Sequence, residues 1–234
     1  MLGASSAIGS QLALEFSFGN ALVLVGRNVE RLERSGRACS QKGATSVTLL
    51  TADLESGYPE IVQAAKLGNV DLVINAASAT SRLRDNALDI DSLGAYVAAD
   101  LVAPVRLIQD LSKERGPAPL AVIFVSSLLA LVRSPNRSVY GGLKSAHELF
   151  LKRILESQPA RKLLIVRVAV PLPTETVTDR TVNLARAART AFDRNQSVLF
   201  YGLSGRMLSW LYFAQPLAFN MVMELLRKFR GGSN

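Results

Sequence analysis

The sequence predicts an α/β fold in three layers (α/β/α), a doubly wound parallel sheet with helices on both faces, and three observations lead there. Short runs rich in leucine and β-branched residues recur along the chain, and stretches of helical length separate them. The runs are continuously apolar, as strands buried on both faces are, rather than alternating. Strands and helices taking turns in this way give a parallel sheet built from successive crossovers.

The strand runs are Ala21 to Val25, Val47 to Leu50, Val70 to Asn75, Leu120 to Ser126, Leu163 to Val170 and Ser197 to Phe200. Their lengths suit strands rather than helices. Helices are expected over Ile8 to Phe18, Asn28 to Lys42, Gly57 to Leu67, Leu93 to Lys113, Val139 to Glu156 and Asp179 to Asp193. The opening is unusual. A glycine-rich turn from Gly3 to Gly9 needs a buried strand before it, yet only Met1 and Leu2 stand there. The first, central strand is therefore expected to be largely missing, through a misplaced start or a real loss. At 234 residues the chain suits one extended core. Residues 1–203 are expected to form it, with 204–234 as an apolar and basic tail.

Composition excludes several classes. A single cysteine, Cys39, cannot form an internal disulfide, and a single histidine, His147, leaves no material for a His/Cys metal site. A reducing compartment is expected, and no secretory signal pattern opens the chain, so the expected location is the cytoplasm. The 27 Lys+Arg against 19 Asp+Glu give a net charge of +8. That balance suits a phosphorylated cofactor, an anionic lipid surface or nucleic acid, and equally a solvated basic surface. The cations are scattered and form no recognisable nucleic-acid module, so nucleic acid is not an expected partner.

Gly3, Ser5, Ser6, Ile8 and Gly9 open a helix with small residues, which lets backbone N–H groups and the positive helix end approach a pyrophosphate. A glycine-rich helix cap in an ordinary α/β protein would look the same. The next strand ends at Arg27 and Asn28, where a dinucleotide fold selective for NAD carries an acidic residue for the ribose hydroxyls. A guanidinium there can clamp a 2′-phosphate, which favours NADP(H) over NAD. A plain surface arginine after a strand is the alternative.

Ser127, Tyr140 and Lys144 are the most informative set. Tyr140 and Lys144 stand four apart in an expected helix and share a face, while Ser127 closes a strand run across a loop. A tyrosine can exchange a proton with a substrate oxygen, but its ordinary pKa near 10 lies about three units above neutral, roughly 4 kcal/mol. A nearby ammonium, helped by an oxidised nicotinamide, would stabilise the phenolate, and a serine hydroxyl would hold the substrate oxygen.

Taken together, Gly3-Ala4-Ser5-Ser6-Ala7-Ile8-Gly9, Asp53-Leu54, Asn75-Ala76-Ala77, Ser126-Ser127 and Tyr140-Gly141-Gly142-Leu143-Lys144 resemble, in order and spacing, the classical short-chain dehydrogenases/reductases, with their Rossmann-like fold. Ser127 lies thirteen residues before Tyr140, as the family's serine does. The resemblance runs from residue 1 to about 200. It implies that Asp53, beside Leu54, contacts adenine, that Asn75, Ala76 and Ala77 line the adenosine ribose, and that Lys144 also binds the nicotinamide ribose. Pro171 and Thr176 resemble the segment that meets the nicotinamide carboxamide. It further implies a helix-mediated homodimer or homotetramer.

Three positions depart from the pattern. Leu2 replaces a threonine, a variant similar to some envelope-polysaccharide and lipid-linked-sugar reductases of this family. Asp100 stands where an active-site asparagine holds a proton-relay water; an aspartate can bond that water, but its charge near Lys144 changes the local titration. Leu172 replaces a glycine after Pro171. His147, three residues beyond Lys144, reads as a packed histidine, since the family's mechanism uses none.

The tail from Met207 to Leu226 is apolar and ends in Arg227-Lys228-Phe229-Arg230. It is nearly long enough to span a bilayer, but Pro216, Asn220 and Glu224 speak against a clean span. Residues 207–230 are expected either to lie as short amphipathic helices at the inner face of a membrane, with Trp210 and Tyr212 at headgroup level, or to pack over a substrate pocket or a second subunit. The expected function is NADP(H)-dependent hydride transfer to or from a carbonyl or alcohol carbon of a hydrophobic or lipid-linked substrate. The alternative is a catalytically impaired dinucleotide-binding scaffold or sensor.

Overall fold

The computed structural model describes residues 1–54, 56–78, 90–131, 138–156, 161–169, 172–173, 175–202 and 221. Among these residues six strands form: β1 (Ala21–Gly26), β2 (Ser46–Thr51), β3 (Leu72–Asn75), β4 (Leu120–Ser127), β5 (Arg161–Val168) and β6 (Val198–Tyr201). Every strand pairing is parallel. β1 pairs with β2, and β3, β4, β5 and β6 follow one another in a second ladder. Leu2 joins the two ladders. It bridges Val25 on one side and Asn75 on the other, with its N–H donating to the Ile74 carbonyl at 2.8 Å and its carbonyl accepting from Ala76 at 3.1 Å. Met1 and Leu2 thus fill the central slot expected for the first strand.

The helices are α1 (Ala7–Glu15), α2 (Val29–Gln41), α3 (Tyr58–Leu67), α4 (Ile90–Val97), α5 (Ala103–Arg115), α6 (Ser138–Glu156) and α7 (Asp179–Asp193). They cover both faces of the sheet, because strand side chains alternate. In β4, Val122 and Phe124 face a core shared with Ile61, Leu107, Leu111 and Leu151 of α3, α5 and α6. Ile123, between them, faces the opposite core, shared with Leu12 of α1 and Leu184 and Ala188 of α7. Hence the strand runs are apolar without alternation. α2 shows the matching helical pattern: its buried residues Leu32, Ser35, Gly36 and Cys39 fall at one 3.6-residue stripe.

The expected helix over Leu93 to Lys113 is split into α4, a π turn at Ala98–Val102, and α5. Pro104 is the reason. Lacking an N–H, it cannot bond the carbonyl four residues back, which belongs to Asp100. The backbone widens there, with the Ala103 N–H reaching the Ala98 carbonyl. The freed Asp100 carbonyl meets Nδ1 of His147 at 2.9 Å, so one proline connects the π turn to α6. The helix expected to reach Phe18 ends at Glu15, capped by Phe16.

Candidate active site

The residues singled out above collect at the carboxyl ends of the strands, where ligands of open parallel sheets bind. Arg27 follows β1, Asp53 follows β2, Asn75 ends β3, Ser127 ends β4, and the segment holding Thr176 follows β5. Pro171 and the tail residues 207–220 and 222–230 lie outside the described residues.

The glycine-rich turn is packed tightly by its own backbone. Gly3 has φ +78°, and a Cβ there would lie 2.7 Å from the Ala77 nitrogen; a Cβ on Gly9 would lie 2.0 Å from the Gly3 carbonyl oxygen. Ser6 caps α1, its Oγ accepting from the Gly9 N–H at 3.0 Å and donating to the Gly3 carbonyl at 2.8 Å. Ser5 sits against Gly26, whose Cβ would come within 2.6 Å of the Ser5 hydroxyl. Ile8 turns into the core with α7. The turn therefore carries its glycines where backbone meets backbone, and sets the positive N-terminal end of α1 beside Ala76 and Ala77, a cradle whose chemistry fits a pyrophosphate.

Some neighbouring residues are already engaged. Asn28 caps α2, its side chain accepting from the Arg31 N–H at 2.9 Å. Asn75 is buried, its Oδ1 accepting from the Ala77 N–H at 3.1 Å. Arg27, half exposed, lies 3.7 Å from the Asp53 carboxylate, which joins the residues expected at the 2′-phosphate and at adenine. Leu54 packs on the core beneath. Thr176 is exposed, and its neighbour Glu175 pairs with Arg31 at 2.9 Å. That guanidinium holds the Glu175 carboxyl below the usual carboxylate range.

Tyr140 and Lys144 do share a face of α6. The Lys144 ammonium lies 5.7 Å from the Tyr140 ring centre and 5.0 Å from that of Phe124. Ser127 caps the 3-10 turn Leu128–Ala130, its Oγ accepting from the Leu129 N–H at 3.2 Å. The lone O–H of that serine is left to donate elsewhere. This turn packs against α6 at Gly141, where a Cβ would stand 2.5 Å from the Leu129 carbonyl oxygen. Glycine at that position lets the turn capped by Ser127 approach the helix one residue from Tyr140.

Lys144 is almost wholly buried, and its Nζ lies 3.3 Å from Oδ2 of Asp100 on the π turn, both side chains 2% exposed. His147 stacks on Phe124 with ring centres 4.0 Å apart. Burial, with the Lys144 charge second, lowers its pKa to about 3, against the weaker pull of the Asp100 carbonyl. It is a neutral packing residue.

Beneath this face lies a group that the sequence reading did not single out. Glu148, one turn beyond Lys144, accepts from the Ser126 hydroxyl at 2.6 Å and from Arg167 Nη2 at 2.5 Å. Its signals were the four-residue step from Lys144 and a lone charge, Arg167, inside the apolar run of β5. No helix among the described residues is long and apolar enough to cross a membrane.

Known proteins of the same build can be set beside this geometry. The family model for short chain dehydrogenases matches residues 1–188. The human Dehydrogenase/reductase SDR family member 7 is 27% identical over 190 residues, 74% of this chain, which spans about half (54%) of that relative's length. In fold, the chain is like the bulky-bulky ketone specific alcohol dehydrogenase from Comamonas testosteroni, with a TM-score of 0.74, 20% identity, and coverage of 95% of this chain and 92% of that one. It is likewise similar to a short-chain dehydrogenase from Sphingobium yanoikuyae in complex with NADPH, with a TM-score of 0.73, 22% identity, and coverage of 96% and 93%. With its parallel sheet and a family match over most of its length, the chain belongs to the short-chain dehydrogenase family.

Proposed function

We propose that this protein is an NADP(H)-dependent oxidoreductase acting on CH–OH groups, moving a hydride between the nicotinamide and the carbonyl or alcohol carbon of a hydrophobic or lipid-linked substrate. The observation that carries the reading is the Tyr140–Lys144 face of α6, its ammonium 5.7 Å from the phenol ring, set against the turn that Ser127 caps. The NADPH held by the Sphingobium yanoikuyae relative and the half-exposed Arg27 guanidinium after β1 support the choice of cofactor.

When bound, the reduced nicotinamide supplies the hydride. The chain's own groups do the rest. Ser127 donates a hydrogen bond to the substrate oxygen, and Tyr140 passes its hydroxyl proton to that oxygen. Lys144 stabilises the phenolate left behind. Gly3, Ser5, Ser6 and Gly9 cradle the pyrophosphate at the α1 end, and Arg27 clamps the 2′-phosphate, leaving Asp53 to do so. The apolar run at 207–226 supports a hydrophobic substrate met at the inner membrane surface. Exposed Leu149 and Phe150 on α6 and Val102 beside α5 support a homo-oligomer that buries this helical face.

One observation favours a second reading, a dinucleotide-binding scaffold or sensor: the Lys144 ammonium is already closed in a buried pair with Asp100. Fluorescence titration with NADPH and NADH, followed by turnover assays on hydrophobic ketones and alcohols, separates the two. Tighter binding of NADPH, turnover, and a loss of at least ~100-fold in Tyr140→Phe with cofactor affinity retained are expected for the enzyme. Full activity in Tyr140→Phe refutes the chemistry, tighter NADH binding refutes the role of Arg27, and NADPH binding without any turnover establishes the second reading.

A further inference from the structure

We infer that Glu148 and Arg167 are positioning residues for the Tyr140–Lys144 face: their buried ion pair ties α6 to the ends of β4 and β5 and cancels charge beneath Lys144. The inference rests on the proposed role of Tyr140, and it concerns residues outside the reacting groups.

Tyr140, Lys144 and Glu148 follow one another at four-residue steps, which places all three on the inward stripe of α6. Glu148 is 5% and Arg167 1% exposed. A buried carboxylate persists only with strong partners, and it has them. Arg167 Nε lies 3.1 and 3.2 Å from the two carboxylate oxygens, Nη2 lies 2.5 Å from Oε2, and Ser126 Oγ donates to Oε1 at 2.6 Å. Ser126 and Arg167 are themselves register partners across β4 and β5. The carboxylate therefore sits on a cross-strand pair, one residue before Ser127. A pair of leucines would pack helix on sheet with less desolvation, but would leave the helix free to slide. A forked guanidinium gripping both carboxylate oxygens does not, and a slip of one residue would turn Glu148 away from it.

Among the described residues, the charged and titratable groups around Lys144 are few. Asp100 faces it from the π turn, with Tyr96 one turn earlier on α4. Tyr140, His147 and Glu148 share its helix, His147 being neutral. β5 supplies Arg167, and β4 supplies only Phe124, Ser126 and Ser127. Arg106 and Asp110 of α5 are turned to Tyr58. Within this set, Glu148 and Arg167 sum to zero.

The test reads Tyr140 itself. Tyrosinate absorbance is titrated for each variant, with the Tyr140 step identified by subtracting Tyr140→Phe, alongside the pH profile of turnover. Eight helical residues separate Tyr140 from Glu148, about 12 Å. At that distance, and an effective dielectric of about 20, one uncancelled charge moves a titration midpoint by about one pH unit. Glu148→Gln, leaving Arg167 positive, is expected to move the midpoint down by about one unit. Arg167→Met, leaving Glu148 negative, is expected to move it up by a similar amount. The double variant should return within about 0.3 unit of wild type, and with Glu148→Gln it suffices should Arg167→Met fail to fold. Midpoints that stay put, or that move in the same direction in both single variants, overturn the pair's role. A titration step that survives in Tyr140→Phe overturns instead the assignment of the tyrosine, and the inference with it.

Discussion

Replacing Asp100 by asparagine is expected to shift the pH profile of turnover to lower pH by more than one unit, while weakening the fold. The carboxylate lies 3.3 Å from the Lys144 ammonium, which lies 5.7 Å from the Tyr140 ring centre. The carboxylate is therefore at most about 9 Å from that ring, and at an effective dielectric of about 20 its charge opposes a phenolate there by about 2 kcal/mol, equal to about 1.3 pH units. Asparagine removes that charge and leaves the ammonium to act on the phenol undivided. Removing one partner outright from a buried pair costs about 3–5 kcal/mol. The asparagine carbonyl still accepts from the ammonium, so a loss of about 1–3 kcal/mol is expected. Rate profiles measured with saturating NADPH, and urea melts of the same preparations, give both numbers. An unmoved profile, or one displaced to higher pH, would show that Asp100 does not govern the phenol and that the pair is only a structural tie.

Three further outcomes follow from the packing. His147, whose pKa burial lowers to about 3 from an ordinary 6.5, stays neutral in the folded chain and takes up a proton on unfolding. Its contribution to stability is thus intact above pH 6.5 and is lost as pH falls toward 3, by up to about 1.4 kcal/mol per unit. Urea melts between pH 7 and 4.5 should show a slope one proton flatter in His147→Gln, and equal slopes would contradict the burial. Gly9→Ala forces a Cβ to within 2.0 Å of the Gly3 carbonyl. It should open the turn, destabilise the protein by at least ~1–3 kcal/mol, and reduce NADPH affinity tenfold or more. Gly142→Ala on α6, whose Cβ would meet nothing within 4 Å among the described residues, should instead stabilise by about 0.5–1 kcal/mol. Thermal melts and fluorescence titration read both, and a wild-type-like Gly9→Ala would sink the argument.

The order of strands and helices could be read from the chain because each depends on local pattern. Continuous apolar runs such as that in β4 are set by burial on two faces, and the stripe of Leu32, Ser35, Gly36 and Cys39 by the turn of a helix. The glycine turn, and the four-residue step from Tyr140 to Lys144, were likewise legible, since sterics and helical geometry act over a few residues. What joins distant segments was not. Pro104 announced a break in a helix, but only packing showed that the carbonyl it frees is taken by His147. Asp100 could be seen as a departure, yet its closure on Lys144 depends on the π turn facing α6. Glu148 and Arg167 look like an exposed helix charge and a stray cation in a strand. Desolvation makes each costly alone, so only the fold that presses α6 onto β4 and β5 could decide that they are buried together.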